Sequence, residues 1–390
     1  MRKIKAAVIG TDFAAERMAG TLAQMREFSC RAVVGGGRRK DLAEKFRIPK
    51  NYQTPEELFA DGSVEMVCLA EPAPGREELI RSCLEAGLHV LAEKPLSLSS
   101  EETKSLFALA KEKNLVLAEC VPNVYMPLAR KIRELLKERV IGEPVNLTAS
   151  LGFASAKNRR LNDRERGGGC LYNLCPYGLH LALMAFGEEI LEAKALCSFT
   201  KDHVDEQTNV SFVYRNGRMA NVTASLLGVM DNRLVITGTR GRITASSVEK
   251  LTRVEVLSSD GKRLAGYEQR GMKTGLEYCF REFAEAITEG NVQTESLPAE
   301  RSIRAAELTE RLASDLGLNR EPAEETFVLP GLEQYLRANA VLTGNREAAK
   351  EEEAREPEED RSLPEKEAEE KAVPAATLDL SLDWKLGEQK

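Results

Sequence analysis

The sequence predicts an α/β fold: an N-terminal Rossmann domain followed by a C-terminal α/β domain whose open sheet is mostly antiparallel. Three observations predict it. Short apolar runs alternate with helix-like segments over the first 120 residues, the pattern of parallel βαβ units. The first run, Ala6 to Ile9, meets Gly10 and then a helical pattern, as at the turn that opens a dinucleotide-binding domain. Beyond about residue 186 the chain alternates apolar and polar residues between tight turns, as antiparallel hairpins do.

In order, strands are expected at 6–9, 31–34, 66–70, 89–91 and 116–118. Helices are expected between them near 14–26, 39–46, 55–60, 76–86 and 100–113. Ser99-Ser100-Glu101-Glu102 caps the last of these, and Gly87 stops the one before it. A strand follows at 142–153, then a basic loop, three glycines and one helix from about 170 to 186. Asn216-Gly217 marks a hairpin, residues 233–246 repeat the style, and helices near 276–289 and 299–316 close the unit. Domain limits are placed at 1–120, 121–344 and 345–390.

The composition is that of a globular protein, with 42% hydrophobic and 30% charged residues. No apolar run is long enough for a signal peptide or a membrane span, so a soluble, cytoplasmic protein is expected. Eight cysteines form no C-x-x-C pair and only three histidines occur, which points to buried or free thiols and to no metal site. Residues 346–390 hold fifteen acids and eight bases; the remainder is balanced at 47 of each, so nucleic acid is excluded as a partner. The tail's composition argues for disorder. Its last lap alternates Leu378, Leu380, Leu382, Trp384 and Leu386 with polar residues. That suits a strand docked on the protein's own sheet, or a motif at 376–390 that binds a protein partner by strand addition.

Asp12 stands where the second glycine of G-x-G-x-x-G/A is expected, just before Phe13. A carboxylate ~4 Å from a phosphate charge costs about 1 kcal/mol in water and about 4 at an effective dielectric of 20. The alternative is that Asp12 caps the following helix through its N–H groups and points away from the phosphates. No acid lies between Glu27 and Asp41; instead Arg38 and Arg39 follow three glycines, which suits a 2′-phosphate and favours NADP over NAD.

Four motifs then converge: "AGLHVLAEKPLSLSSEE" (86–102), "ERVIGEPV" (138–145), "RGGGCLYNLCPYGLHLALMAFG" (166–187) and "ITGTRGRI" (236–243). Their order and spacing resemble the Gfo/Idh/MocA oxidoreductases, which include glucose–fructose oxidoreductase, inositol dehydrogenase and dihydrodiol dehydrogenase. The resemblance covers about residues 1–322. It implies hydride transfer between NAD(P) and a hydroxyl or carbonyl carbon of a sugar-like or cyclic polyol substrate. It puts Lys94, of Glu93-Lys94-Pro95, beside the nicotinamide and the reacting oxygen. It also puts Asn173 and Tyr177 where the family commonly carries Asp and His.

"CLAEPAPGRE" departs from the family's A-T-P-N-x-x-H, with Glu71, Ala73 and Arg76 at the Thr, Asn and His positions and Pro72 retained. The cofactor set implied is therefore Gly10, Asp12, Phe13, Arg38, Arg39, Glu71, Pro72, Arg76, Glu93 and Lys94. The substrate set is Lys94, Tyr125, Arg160, Asn173, Tyr177 and His180.

Lys94 would stabilise charge developing on the reacting oxygen and pass it a proton, with burial lowering its pKa. Tyr177 would assist as a donor and Asn173 would orient a substrate hydroxyl, the two sharing one helical face at i and i+4. The basic loop with Lys157, Arg159, Arg160, Arg164 and Arg166 would select an acidic substrate, or is simply solvated. A homodimer or homotetramer, paired through the open sheet face, is also implied. The departures at Asp12, Glu71, Ala73 and Asn173 keep a second reading open: a catalytically degenerate scaffold that acts through its tail.

Overall fold

The computed structural model describes residues 2–155, 158, 160–271 and 273–318. The expected tail, its apolar motif, the boundary at 344, Lys157 and Arg159 lie outside the described residues. The first sheet has six parallel strands: β1 (Ile4–Ile9), β2 (Phe28–Val34), β3 (Lys50–Tyr52), β4 (Met66–Leu69), β5 (His89–Glu93) and β6 (Leu117–Cys120). The helices between them are α1 (Phe13–Gln24), α2 (Arg39–Phe46), α3 (Pro55–Asp61), α4 (Arg76–Glu85) and α5 (Ser100–Glu112).

The strand order is β3-β2-β1-β4-β5-β6. Chain direction across the sheet reverses between β1 and β4, which opens a crevice at their C-terminal ends. The central strands here are mainly apolar because both faces are covered: Ala6 and Val8 enter one core, Ala7 and Ile9 the other. β3 escaped the sequence reading because it is short, polar and at the sheet edge.

Two helices that the sequence reading did not include, α6 (Pro122–Tyr125) and α7 (Pro127–Lys137), lead into the second sheet. Leu128, Ile132 and Leu135 form the buried stripe of α7. The second sheet comprises β7 (Pro144–Gly152), β8 (Ile190–Phe199), β9 (Asp205–Tyr214), β10 (Met219–Ser225), β11 (Arg233–Gly238), β12 (Gly241–Ser246), β13 (Arg253–Ser258) and β14 (Arg263–Glu268). Its order is β14-β13-β12-β11-β7-β10-β9-β8, and only the β7–β10 pair is parallel.

The expected single helix at 170–186 is corrected to two: α8 (Cys170–Asn173) and α9 (Cys175–Phe186), broken at Leu174 with φ −110°. Pro176 has no N–H to continue the ladder, and the Tyr177 N–H bonds the Leu174 carbonyl at 3.2 Å instead of that of Asn173. α9 lies on the inner sheet face, close enough that a Cβ on Gly178 would sit 2.7 Å from Val222. The outer face is a polar ladder, with Asn209 bonded to Thr223 and Ser211 to Asn221, each at 2.8 Å. α10 (Leu276–Glu289) and α11 (Ala299–Asp315) return to the first sheet, packing on α1 and on α5. Both sheets therefore share one core, which runs from Val8 and Met18 to Leu179 and Phe280.

Candidate active site

Lys94 follows the end of β5, at a cis Lys94–Pro95 peptide. Its side chain crosses to the second domain and is almost wholly buried, with 8% of its surface exposed. Nζ donates to the backbone carbonyl of Asn173 at 2.8 Å and lies 4.5 Å from the centroid of the Tyr177 ring. That carbonyl is available because the break after α8 leaves it without the helical N–H it would otherwise accept. Burial lowers the Lys94 pKa to about 8; Glu93 opposes the shift, and the cations of Arg160 and Arg76 add to it.

Tyr177 offers its ring face to this ammonium. Desolvation raises the pKa of its hydroxyl, which therefore keeps its proton at neutral pH. The role expected for the Asn173 amide is corrected. Its Nδ2 donates to the carbonyls of Gly167 and Gly169 at 2.9 and 2.8 Å, so it fastens the glycine-rich loop. The backbone of Asn173, not its side chain, serves Lys94.

Arg76 does not line a cofactor pocket as expected. It is 1% exposed, and its guanidinium donates to the carbonyls of Glu71, Glu93 and Pro95. It thereby fixes the ends of β4 and β5, and with them the turn that carries Lys94. Desolvation brings even its pKa down to about 10.

The nucleotide turn lies at the switch between β1 and β4. Gly10 has φ +126°, and a Cβ there would meet the Ala70 side chain at 3.1 Å, so glycine is required. Asp12 takes the capping alternative: Oδ1 accepts the N–H groups of Ala14 and Ala15 at 2.9 and 3.2 Å. Its other oxygen, Oδ2, is buried without a hydrogen-bond partner and stands 3.6 Å from Nε of Arg160. Arg160, expected beside the substrate, thus also reaches the nucleotide turn.

The Glu71 carboxyl lies over Gly35, 3.8 Å from where a Cβ would be. Its pKa is raised by desolvation and then by Asp12, against the pull of Arg166, Arg76 and Arg160. Phe13 is exposed beside Arg17, and Pro72 is partly exposed. At the end of β2, Arg38 pairs with Glu16 at 3.1 Å, Lys45 with the same carboxylate at 2.5 Å, and Arg39 donates to the Gly36 carbonyl at 3.1 Å. The cradle at Gly10, which excludes a Cβ at the switch between β1 and β4, fits an NAD(P)-type dinucleotide. The orphaned Asp12 oxygen is balanced from across the cleft.

Beneath the site lies a second polar group. His180 is 1% exposed, with Nε2 3.6 Å from Oε2 of Glu119. Desolvation pulls His180 down to about 3 and pushes Glu119 up to about 7, so this is not a strong ion pair. With Ser302 and Thr309 they line a cavity of about 10 Å³, near the size of one water. The Tyr125 hydroxyl is buried too, donating to the Glu119 carbonyl at 3.0 Å. His180 and Tyr125, expected among the substrate ligands, are both buried against Glu119. Glu119, an acid within an apolar strand pattern, was the signal for this group.

Asp205, also unforeseen, is fully buried on β9; Oδ2 accepts the Leu171 N–H at 2.7 Å and the Thr208 hydroxyl at 2.5 Å. Its carboxyl fills the space a Cβ on Gly169 would need, and Gly169 has φ +95°. Desolvation raises its pKa to about 7. Between about pH 4 and 7 the folded state then holds a proton that the unfolded state has released, so this group's contribution to stability falls as pH rises. Asp205→Asn should flatten the melting temperature over that window by a few degrees relative to the unsubstituted protein. Parallel melting curves at pH 4 and pH 7 would contradict this.

Among the described residues no helix is long and apolar enough to cross a membrane, and no group of three or more His, Cys, Asp or Glu could hold a metal ion.

Residues 4–120 match the oxidoreductase family with an NAD-binding Rossmann fold, and residues 129–244 match the GFO/IDH/MocA C-terminal domain. Trans-1,2-dihydrobenzene-1,2-diol dehydrogenase of Mus musculus is 30% identical over 227 residues, 58% of this chain and 67% of that protein. The Xenopus tropicalis protein of the same name is 29% identical over 209 residues, 53% of this chain and 63% of its own length. The chain thus spans a little under two thirds of the frog relative. KijD10, a 3-ketoreductase from Actinomadura kijaniata solved with NADP and TDP-benzene, is 26% identical at a TM-score of 0.72, over 80% of this chain and 98% of its own. With a Rossmann sheet, an open antiparallel sheet and a lysine buried between them, the chain belongs to the GFO/IDH/MocA oxidoreductase family.

Proposed function

We propose that the chain is an NADP-preferring oxidoreductase acting on a hydroxyl or carbonyl carbon of a sugar-like or cyclic polyol substrate. One observation carries this reading: the buried Lys94 ammonium, held by the Asn173 carbonyl above the Tyr177 ring at the edge of the crevice. The relatives' names, a trans-1,2-dihydrobenzene-1,2-diol dehydrogenase and a 3-ketoreductase solved with NADP and TDP-benzene, agree with it.

The bound nicotinamide supplies or accepts the hydride. Lys94 does the rest of the charge management. In reduction its ammonium stabilises the oxygen as charge builds and then gives that oxygen a proton; in oxidation the neutral amine removes the proton. A pKa of about 8 makes both forms accessible near neutrality. Tyr177 remains protonated and donates a hydrogen bond to the reacting oxygen or its neighbour. Asn173 keeps the loop closed on the lysine, and Arg76 holds the turn from below. The flat polar outer face of the second sheet, with Leu196 and Met219 exposed on its strands, supports pairing with a second copy.

Fluorescence titration with NADPH and NADH tests the reading. Saturable micromolar NADPH binding, tighter than NADH by roughly tenfold, is expected, because Arg38 and Arg39 add charge-assisted bonds to a 2′-phosphate. Failure of both nucleotides to bind would refute the assignment.

A further inference from the structure

We infer that Asp12 anchors Arg160 as a phosphate-binding arm, so that the pyrophosphate site of the first domain is completed by a side chain from the second. The inference rests on the dinucleotide reading above and says how the altered turn satisfies it.

Three observations lead there. The N–H groups of Ala14 and Ala15, donors that a helix N-terminus would offer to a phosphate, are already taken by Oδ1 of Asp12. Some donors must therefore come from elsewhere. Asp12 keeps Oδ2 buried and without a hydrogen bond, facing an equally unsatisfied Nε of Arg160 at 3.6 Å. That distance is an ion-pair contact and too long for a hydrogen bond. The Arg160 side chain is 26% exposed although its Nε is buried, so part of the side chain reaches solvent. A guanidinium is a planar fork of five donors; with Nε turned to one carboxylate, the terminal nitrogens remain for a second anion.

The charge around the turn agrees. Asp12 and Glu71 place two carboxylates at the ends of β1 and β4, where a pyrophosphate would meet repulsion. The cations that act on Glu71 include Arg160 and Arg166, both from the loop of the second domain. The same Arg160 acts on Lys94. One arginine therefore lies within electrostatic reach of both the nucleotide turn and the proposed proton donor. On this view Asp12 holds the group that replaces the missing backbone donors; it does not obstruct the nucleotide.

The test is NADPH titration of the full chain and three variants: Arg160→Ala, Asp12→Asn and the double variant. Asp12→Asn keeps the helix-capping acceptor and removes only the charge. Arg160→Ala should weaken binding by roughly 10–100-fold and reduce its dependence on salt. Asp12→Asn should weaken it by roughly 3–10-fold, and the double variant should bind no more weakly than Arg160→Ala, because both changes disable one unit. Tighter binding by Asp12→Asn, or unaltered binding by Arg160→Ala, would overturn the anchor while leaving the dinucleotide reading in place. No saturable binding by the unsubstituted chain would overturn both.

Discussion

Lys94→Ala is expected to lower turnover by roughly 10²–10⁴ while NADPH affinity stays within a few-fold. The size follows from what is lost. The ammonium is held across the crevice by a direct bond to the Asn173 carbonyl, and in the proposed mechanism it is both charge stabiliser and proton source. The protein should lose little stability, because folding already disfavours this charge, as its pKa of about 8 shows. Steady-state kinetics and a thermal melt on one preparation separate the two effects. Lys94→Arg should not restore turnover, because a guanidinium keeps its proton throughout the working range. Full activity in either variant would remove Lys94 from the chemistry.

Arg76→Ala should have the largest effect on stability, about 3–5 kcal/mol in denaturant unfolding. The guanidinium satisfies three carbonyls at the ends of β4 and β5 and is itself almost wholly buried. Truncation would leave all three without these bonds and open a cavity in the core. Arg76→Lys should recover only part of the loss, since a compact ammonium cannot reach three acceptors set around a planar fork. A loss below about 1 kcal/mol would show that the turn holds itself.

The central strand runs of the first sheet are legible because burial on both faces makes them mainly apolar, and Gly10 marks the nucleotide turn. Lys94 was legible only through its motif. In isolation Lys94-Pro95 reads as a surface turn, and nothing local reports the 8% exposure imposed by the second domain. The part of the Asn173 carbonyl is not legible in the helical spacing of Asn173 and Tyr177, which concerns side chains; Pro176 is the local sign of the break. The surroundings of Arg76, Arg160, His180 and Tyr125 are not legible in the sequence, for one shared reason. Long polar side chains are oriented by tertiary contacts, and no periodicity says whether they point to solvent, to carbonyls or to a carboxylate on another domain. Asp12 shows the same limit from the other side: both of its alternatives were visible, and only the Ala14 and Ala15 N–H groups decided between them.

The most direct test of the proton-donor role is the pH dependence of the hydride-transfer rate, measured in both directions from about pH 6 to 10. Reduction should fall and oxidation should rise through a common inflection near pH 8, the value burial gives Lys94, and both inflections should vanish in Lys94→Ala. Flat profiles in the unsubstituted protein, or an inflection that survives in the variant, would contradict it.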